Sequence, residues 1–178
     1  MSGFIPEITT TVRVRVNADA LEDGISQINT HGWFDEIIEE MRSKKAELED
    51  LQDPTALAIS ENLQSYQEQI ISMKHYRTGM MANSVDISQD GDGIYLVGNT
   101  ATSVDGFPYP LAIEQGSRDH FVAPVTFSAL HWIQGGDRFS RGHMVSGISA
   151  DPFVQPSIDN TEQDVEEIIR NYFDNVFR

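Results

Sequence analysis

Five histidines, His31, His75, His120, His131 and His143, are the side chains best suited to metal or proton chemistry. Their spacing supports neither. No His-Glu-x-x-His is present and no two stand four apart, the arrangement by which one helix face grips zinc. His131 stands beside Trp132 in a half-buried strand pattern and reads as a hydrogen-bonded histidine rather than a ligand, while His143 falls in a glycine-rich, exposed loop. Asp86, Ser88, Asp90 and Asp92 mimic the start of a calcium loop. The twelfth position, however, is Val97, where a bidentate Glu must close the coordination sphere. A solvated hairpin turn accounts for those residues. Ser146-Gly147 lacks the preceding glycine of a nucleophile elbow, and no Gly-Lys-Ser/Thr follows any glycine run to cradle phosphate. Glu39/Glu40 and Glu166/Glu167 sit on solvent faces of amphipathic segments, away from any cleft in which a carboxylate could do acid–base work. The expectation is a protein that is no enzyme, with no catalytic residue, no metal and no cofactor.

The composition narrows the remaining classes. A chain of 178 residues with 39% hydrophobic and 9% aromatic residues can bury one core, so a single domain over 1–178 is expected. Its net charge of −16 opposes approach to a phosphate backbone, which disfavours specific nucleic-acid binding. Lysine occurs only at Lys44, Lys45 and Lys74, a low-lysine, carboxylate-rich balance that resembles proteins of salt-loving archaea. Without cysteine there are no disulfides and no thiolate chemistry. No stretch reaches the roughly 20 apolar residues of a membrane span, and the N-terminus lacks a signal-peptide pattern. A soluble, cytoplasmically made protein follows.

Positioning falls to the elements. Ile8, Thr10, Val12, Val14 and Val16 alternate with Thr9, Thr11, Arg13 and Arg15, predicting a strand with both arginines outward. Leu21, Ile25 and Ile28 predict a short helical segment. From Trp33 and Phe34 through Ile37, Ile38, Met41, Leu48 and Leu51 the spacing predicts an amphipathic helix, within a helical segment of about 31–54. Asp53-Pro54 reads as an N-cap and first-turn proline opening a second helix that runs to about His75, with Leu57, Leu63, Tyr66, Ile70 and Met73 inward. Val85–Ser88 and Ile94–Val97 flank a glycine-bearing turn and predict a hairpin. A further strand pair is expected over Val122–Phe127, Leu130–Ile133 and Arg138–Phe139, with a mobile glycine-rich loop about 134–143. Ile158, Val165, Ile168, Ile169, Tyr172, Phe173 and Val176 predict a terminal helix packed on the sheet. These elements segregate, so the fold class is α+β: a twisted antiparallel sheet of hairpins against a long helix pair and a C-terminal helix.

Three short motifs remain. Arg77-Thr78-Gly79-Met80-Met81-Ala82-Asn83-Ser84 reads as a capped turn, with Met80 and Met81 as apolar anchors. Tyr109 through Glu114-Gln115-Gly116-Ser117 reads as one turn of helix that Gly116 ends. Pro152-Phe153-Val154-Gln155-Pro156-Ser157 starts the last helix, with Phe153 as a plug between helix and sheet.

In order and spacing these motifs resemble the tail-component family of long-tailed double-stranded DNA viruses, whose members carry a Thr-Gly-x-Leu-x-x-Ser turn, a Tyr/Ala…Glu-x-Gly-Thr turn and a Pro-Phe-x-x-Pro-Ala helix start. Met81, Ser117 and Ser157 replace the usual Leu, Thr and Ala. The resemblance implies Thr78, Gly79, Ser84, Tyr109, Glu114, Gly116, Pro152, Phe153 and Pro156 as family positions. It implies a virion protein, assembled in the host cytoplasm, that forms a ring, six-fold favoured over twelve-fold, at the neck or upper tail and joins capsid to tail. Its partners would then be copies of itself and neighbouring neck, adaptor and tail proteins, with no membrane contact. Arg13, Arg15, Arg77 and Arg118 are the candidate intersubunit contacts. A tail terminator, a non-viral acidic binding domain and an unrecognised hydrolase are the competing expectations.

Overall fold

The computed structural model describes residues 8–17, 22–23, 25–26, 35–75, 79–103, 106–124, 128–133 and 136–174. In chain order these form β1 (Ile8–Arg13), α1 (Asp35–Asp50), α2 (Gln52–His75), β2 (Val85–Gly91), β3 (Ile94–Asn99), α3 (Tyr109–Gln115), β4 (His120–Val122), β5 (Leu130–Ile133), β6 (Asp137–Ser140), β7 (His143–Val145) and α4 (Val154–Phe173). Helices and antiparallel sheets segregate along the chain, so the fold is α+β. No helix among the described residues is long and apolar enough to cross a membrane. Contacts gather the described residues into two compact units, 8–101 with 153–174, and 102–152.

In the first unit β3 is the centre of a three-stranded sheet ordered β1-β3-β2. Thr10 and Ile87 both lie opposite Val97, and Val12 and Gln89 opposite Tyr95, so one face collects these side chains. Val97, Tyr95 and Val85 are buried on it. The alternation in β1 leaves Arg13 and, beyond the strand, Arg15 exposed, as its period-two pattern predicts. The β2–β3 turn is two residues long, and Gly93 takes φ 63°, the left-handed conformation that a tight hairpin demands.

Helix α2 packs on this sheet and also along α4. It is therefore buried on two sides, which explains why Thr55, Ser60 and Gln67 are buried beside Ile59, Leu63, Ile70 and Ile71. Small and polar side chains let packed helices approach closely, and Ser60 satisfies its hydroxyl by donating to the Ala56 carbonyl at 2.8 Å. Asn62 and Tyr66 donate to the Asp164 carboxylate at 3.1 and 2.8 Å, tying α2 to α4.

Several sequence expectations are corrected in this unit. The principal partner of α4 is α2 rather than the sheet. Met73 and Ile37 are exposed, Met73 because it lies at the edge of the stripe that its helix buries. Asp53 does not cap its helix with its side chain. Its carboxylate turns to the hairpin, accepting from the Gln89 amide at 2.9 Å, the Gly93 N–H at 3.1 Å and the Tyr95 hydroxyl at 3.0 Å. Trp33 and Phe34 lie outside the described residues.

In the second unit α3 is followed by two short antiparallel ribbons, β4–β7 and β5–β6. Of the expected strand over 122–127, Val122 closes the three-residue β4, which pairs with β7, Ala123 and Pro124 are not in a strand, and 125–127 lie outside the described residues. Within the glycine-rich segment Asp137–Ser140 is β6, and His143 lies in β7 rather than in a loop. Gly136 and Gly142 flank β6, so the glycines mark its ends rather than a break in structure.

Candidate functional site

The first family motif is a clasp. Gly79, at φ 74°, opens a turn in which its carbonyl accepts from the Asn83 N–H at 3.0 Å. The Ser84 hydroxyl donates back to the Met80 carbonyl at 2.6 Å, and Ser84's own carbonyl accepts from Thr100 N–H at 3.0 Å. Buried Asn99 completes the clasp, donating to the Met81 carbonyl at 2.8 Å and accepting from Ala101 N–H at 3.1 Å. Met81 is buried as an anchor, but Met80 is exposed. Thr78 and Arg77 lie outside the described residues.

The second motif holds a returning segment. Gly116 sits at φ 75° and ψ 173°, a conformation reserved for glycine, and a Cβ there would meet the Ala150 nitrogen at 2.8 Å and the Ile148 oxygen at 2.9 Å. Around it Ser117 N–H donates to the Ile148 carbonyl at 2.9 Å, and Asp151 N–H to the Ile113 carbonyl at 2.9 Å. Tyr109 and Glu114, at the two ends of α3, are half-buried. The third motif starts α4: Phe153 is the N-cap and fully buried, Pro156 lies in the first turn, and the Ser157 hydroxyl donates to the Phe153 carbonyl at 2.5 Å. Pro152 is exposed. Among the described residues all three motifs thus secure chain turns.

Two tyrosines carry perturbed acidity. Burial, followed by the adjoining Asp53 carboxylate, pushes the Tyr95 phenol above its ordinary range. For Tyr66 the hydrogen bond to Asp164 is the larger cause and burial the next. Both are phenols held neutral beside carboxylates inside the helix–sheet unit, which favours structure over proton transfer at neutral pH.

The feature that sequence reading missed is a set of exposed apolar side chains on 102–152. Phe121 and Met144 lie directly opposite on the β4–β7 ribbon and are 62% and 61% exposed. On the β5–β6 ribbon Phe139 is 69% exposed and stacks on the opposing His131, ring centroids 4.8 Å apart. His131 is a surface histidine whose Nε2 lies 2.8 Å from an Asp137 carboxylate oxygen. A signal existed in the triplets His120-Phe121-Val122 and His143-Met144-Val145, which share a His-apolar-Val pattern suited to a short paired ribbon. Three residues are too few for that pattern to stand out among glycines and serines.

Of the arginines singled out, Arg13 and Arg15 share the outward side of β1 and its extension, whereas Arg118 belongs to the ribbon-bearing unit just before β4. Among the described residues Arg118, Arg138 and Arg141 are exposed and have no ion-pair partner, while both nearby acids are engaged. Asp119 accepts from Gly147 N–H at 2.7 Å, and Asp137 faces His131. The ribbons therefore carry three arginines against the carboxylates of Asp119 and Asp137, a small net positive charge beside exposed apolar side chains, on a chain of net charge −16. Such a surface is chemically complementary to one that is acidic and partly apolar. No protein-family model matches this chain, and no curated protein or solved structure matches it either.

Proposed function

We propose that this chain is a structural virion protein that forms a homo-oligomeric ring at the neck or upper tail of a tailed virus, joining the DNA-filled capsid to the tail. The observation that carries the reading is the exposed apolar and arginine-bearing ribbon surface of 102–152, a docking surface on a protein whose other motifs are turn clasps. The ordered resemblance of the Gly79–Ser84, Tyr109–Ser117 and Pro152–Ser157 motifs to the tail-component family supplies the kind of assembly. A ring needs heterologous contacts that close, for which each copy must present two different complementary faces. Carboxylates lining the channel of such a ring would repel DNA and leave its passage clear.

The test is electron microscopy of particles made from the viral genome with this reading frame interrupted and complemented for propagation. Filled heads beside separate tails of normal length are the expected result. Overlong tails would move the role to tail termination. Normal infectious particles would overturn the virion reading and leave an acidic binding domain.

A further inference from the structure

The ribbon surface is one half of a contact, and the chain itself carries a matching half. Along α4, Gln155, Asp159, Glu162, Glu166 and Ile169 recur at steps of four, three, four and three, which places them on one stripe about 21 Å long at the rise of a helix. All five are exposed, and the stripe lies opposite the face that buries Ser157 and Thr161. The helix carries five carboxylates against one cation, Arg170, which is already paired with Glu166 at 2.6 Å. Among the described residues Glu162 and Glu167 have no ion-pair partner. Helix α1 is also acidic but is partly self-neutralised, since Arg42, Lys44 and Lys45 each pair with its own glutamates. Helix α4 also ends its stripe on an exposed apolar residue, Ile169.

We infer that the ribbon surface of one copy, centred on Phe121 and Met144 and flanked by Arg118 and Arg141, docks on the outer stripe of α4 of a second copy. This deepens the ring reading by naming the two faces that meet. The arginines would find the carboxylates that α4 leaves unpaired, and the apolar side chains would leave water together. Because the two faces differ, each copy keeps one of each free for the next, which is the head-to-tail contact that rings require. Charge fixes the register and the apolar pair supplies the desolvated centre.

Two double variants test the pairing by sedimentation velocity across a concentration series, with circular dichroism of each as a check on folding. Arg118→Glu with Arg141→Glu reverses the ribbon, and Glu162→Arg with Glu166→Arg reverses the helix. Each alone should associate at least about tenfold more weakly than the wild type. Their equimolar mixture should associate again, because the reversed ribbon of one meets the reversed helix of the other while the remaining two faces are wild type. A wild-type chain that stays monomeric, single variants that associate as it does, or a mixture that stays dissociated would each overturn the pairing. Particle microscopy fails independently: lost head–tail joining with a monomeric chain would sink this contact and leave the virion reading standing, and association without a particle defect would do the reverse.

Discussion

The two compact units use apolar side chains in opposite ways. Among the described residues the buried hydrophobic side chains other than Pro110 all lie in 8–101 and 153–174, with Phe153, Leu63, Ile71 and Val97 the largest that are fully enclosed. In 102–152 Pro110 is the buried side chain, while Phe107, Phe121, Phe139, Met144 and Ile148 are exposed. The first unit is held by burial, at roughly 25 cal/mol per Å² of apolar surface removed from water. The second relies on backbone bonds across its turns and on a glycine that lets two segments touch. A region that leaves Phe107, Phe121, Phe139, Met144 and Ile148 exposed leaves those side chains available to a partner.

The contrast is broken most severely at its buried pole. Phe153→Ala should destabilise the helix–sheet unit by about 3–5 kcal/mol, since it empties a fully enclosed site at the start of α4. Urea titration followed by circular dichroism would measure it, and a loss under about 1 kcal/mol would mean that the site collapses around the gap. Next comes Gly116→Ala, which forces a Cβ into backbone at a φ of 75°. Its strain of roughly 1–3 kcal/mol should appear as faster amide exchange at Ser117 and Asp151, with the core amides of α2 unchanged. Equal acceleration in both units would show that they open together.

Asp53→Ala sharpens the same comparison from within the core unit, removing the acceptor for Gly93 N–H and the Tyr95 hydroxyl at a cost of about 1–2 kcal/mol. The phenols add a pH signature. Their acidity is weakened in the fold, so the stability they contribute is complete below the ordinary tyrosine value of about 10 and is lost as pH rises from there toward the folded value. Denaturation at pH 8 and pH 11 should therefore show the gap between wild type and Tyr95→Phe narrowing at the alkaline end. A gap that widens would reverse the assigned direction.

The same contrast explains what could be read from sequence. The β1 alternation, the Asp92-Gly93 turn and the 3.6-residue period of α4 were legible because each long element buries one face, and burial writes a period. Helix α2 misled the reading where it is buried on two sides: Thr55, Ser60 and Gln67 are polar yet enclosed, and Met73 is apolar yet exposed. The motifs at Gly79, Gly116 and Phe153 were legible as turns because glycine and proline act locally. Phe121, Phe139 and Met144 were not legible as a surface, since exposure is decided by what packs on a residue and not by its type.

Phe121→Ser is the smallest expected effect on stability and the sharpest separation of the two regions. Phe121 is 62% exposed and faces Met144 across a three-residue ribbon, so its removal leaves no enclosed cavity and should change stability within about 0.5 kcal/mol. If the ring serves the proposed role, the same substitution should weaken self-association, because a ring centre that is neutral in the free chain is desolvated on docking. Stability and association are then measured on one variant. A loss of association with unchanged stability assigns the ring to a partner. A loss of several kcal/mol in stability would instead assign it to this chain's own fold, and the contrast between the two units would fail at the residue that expresses it best.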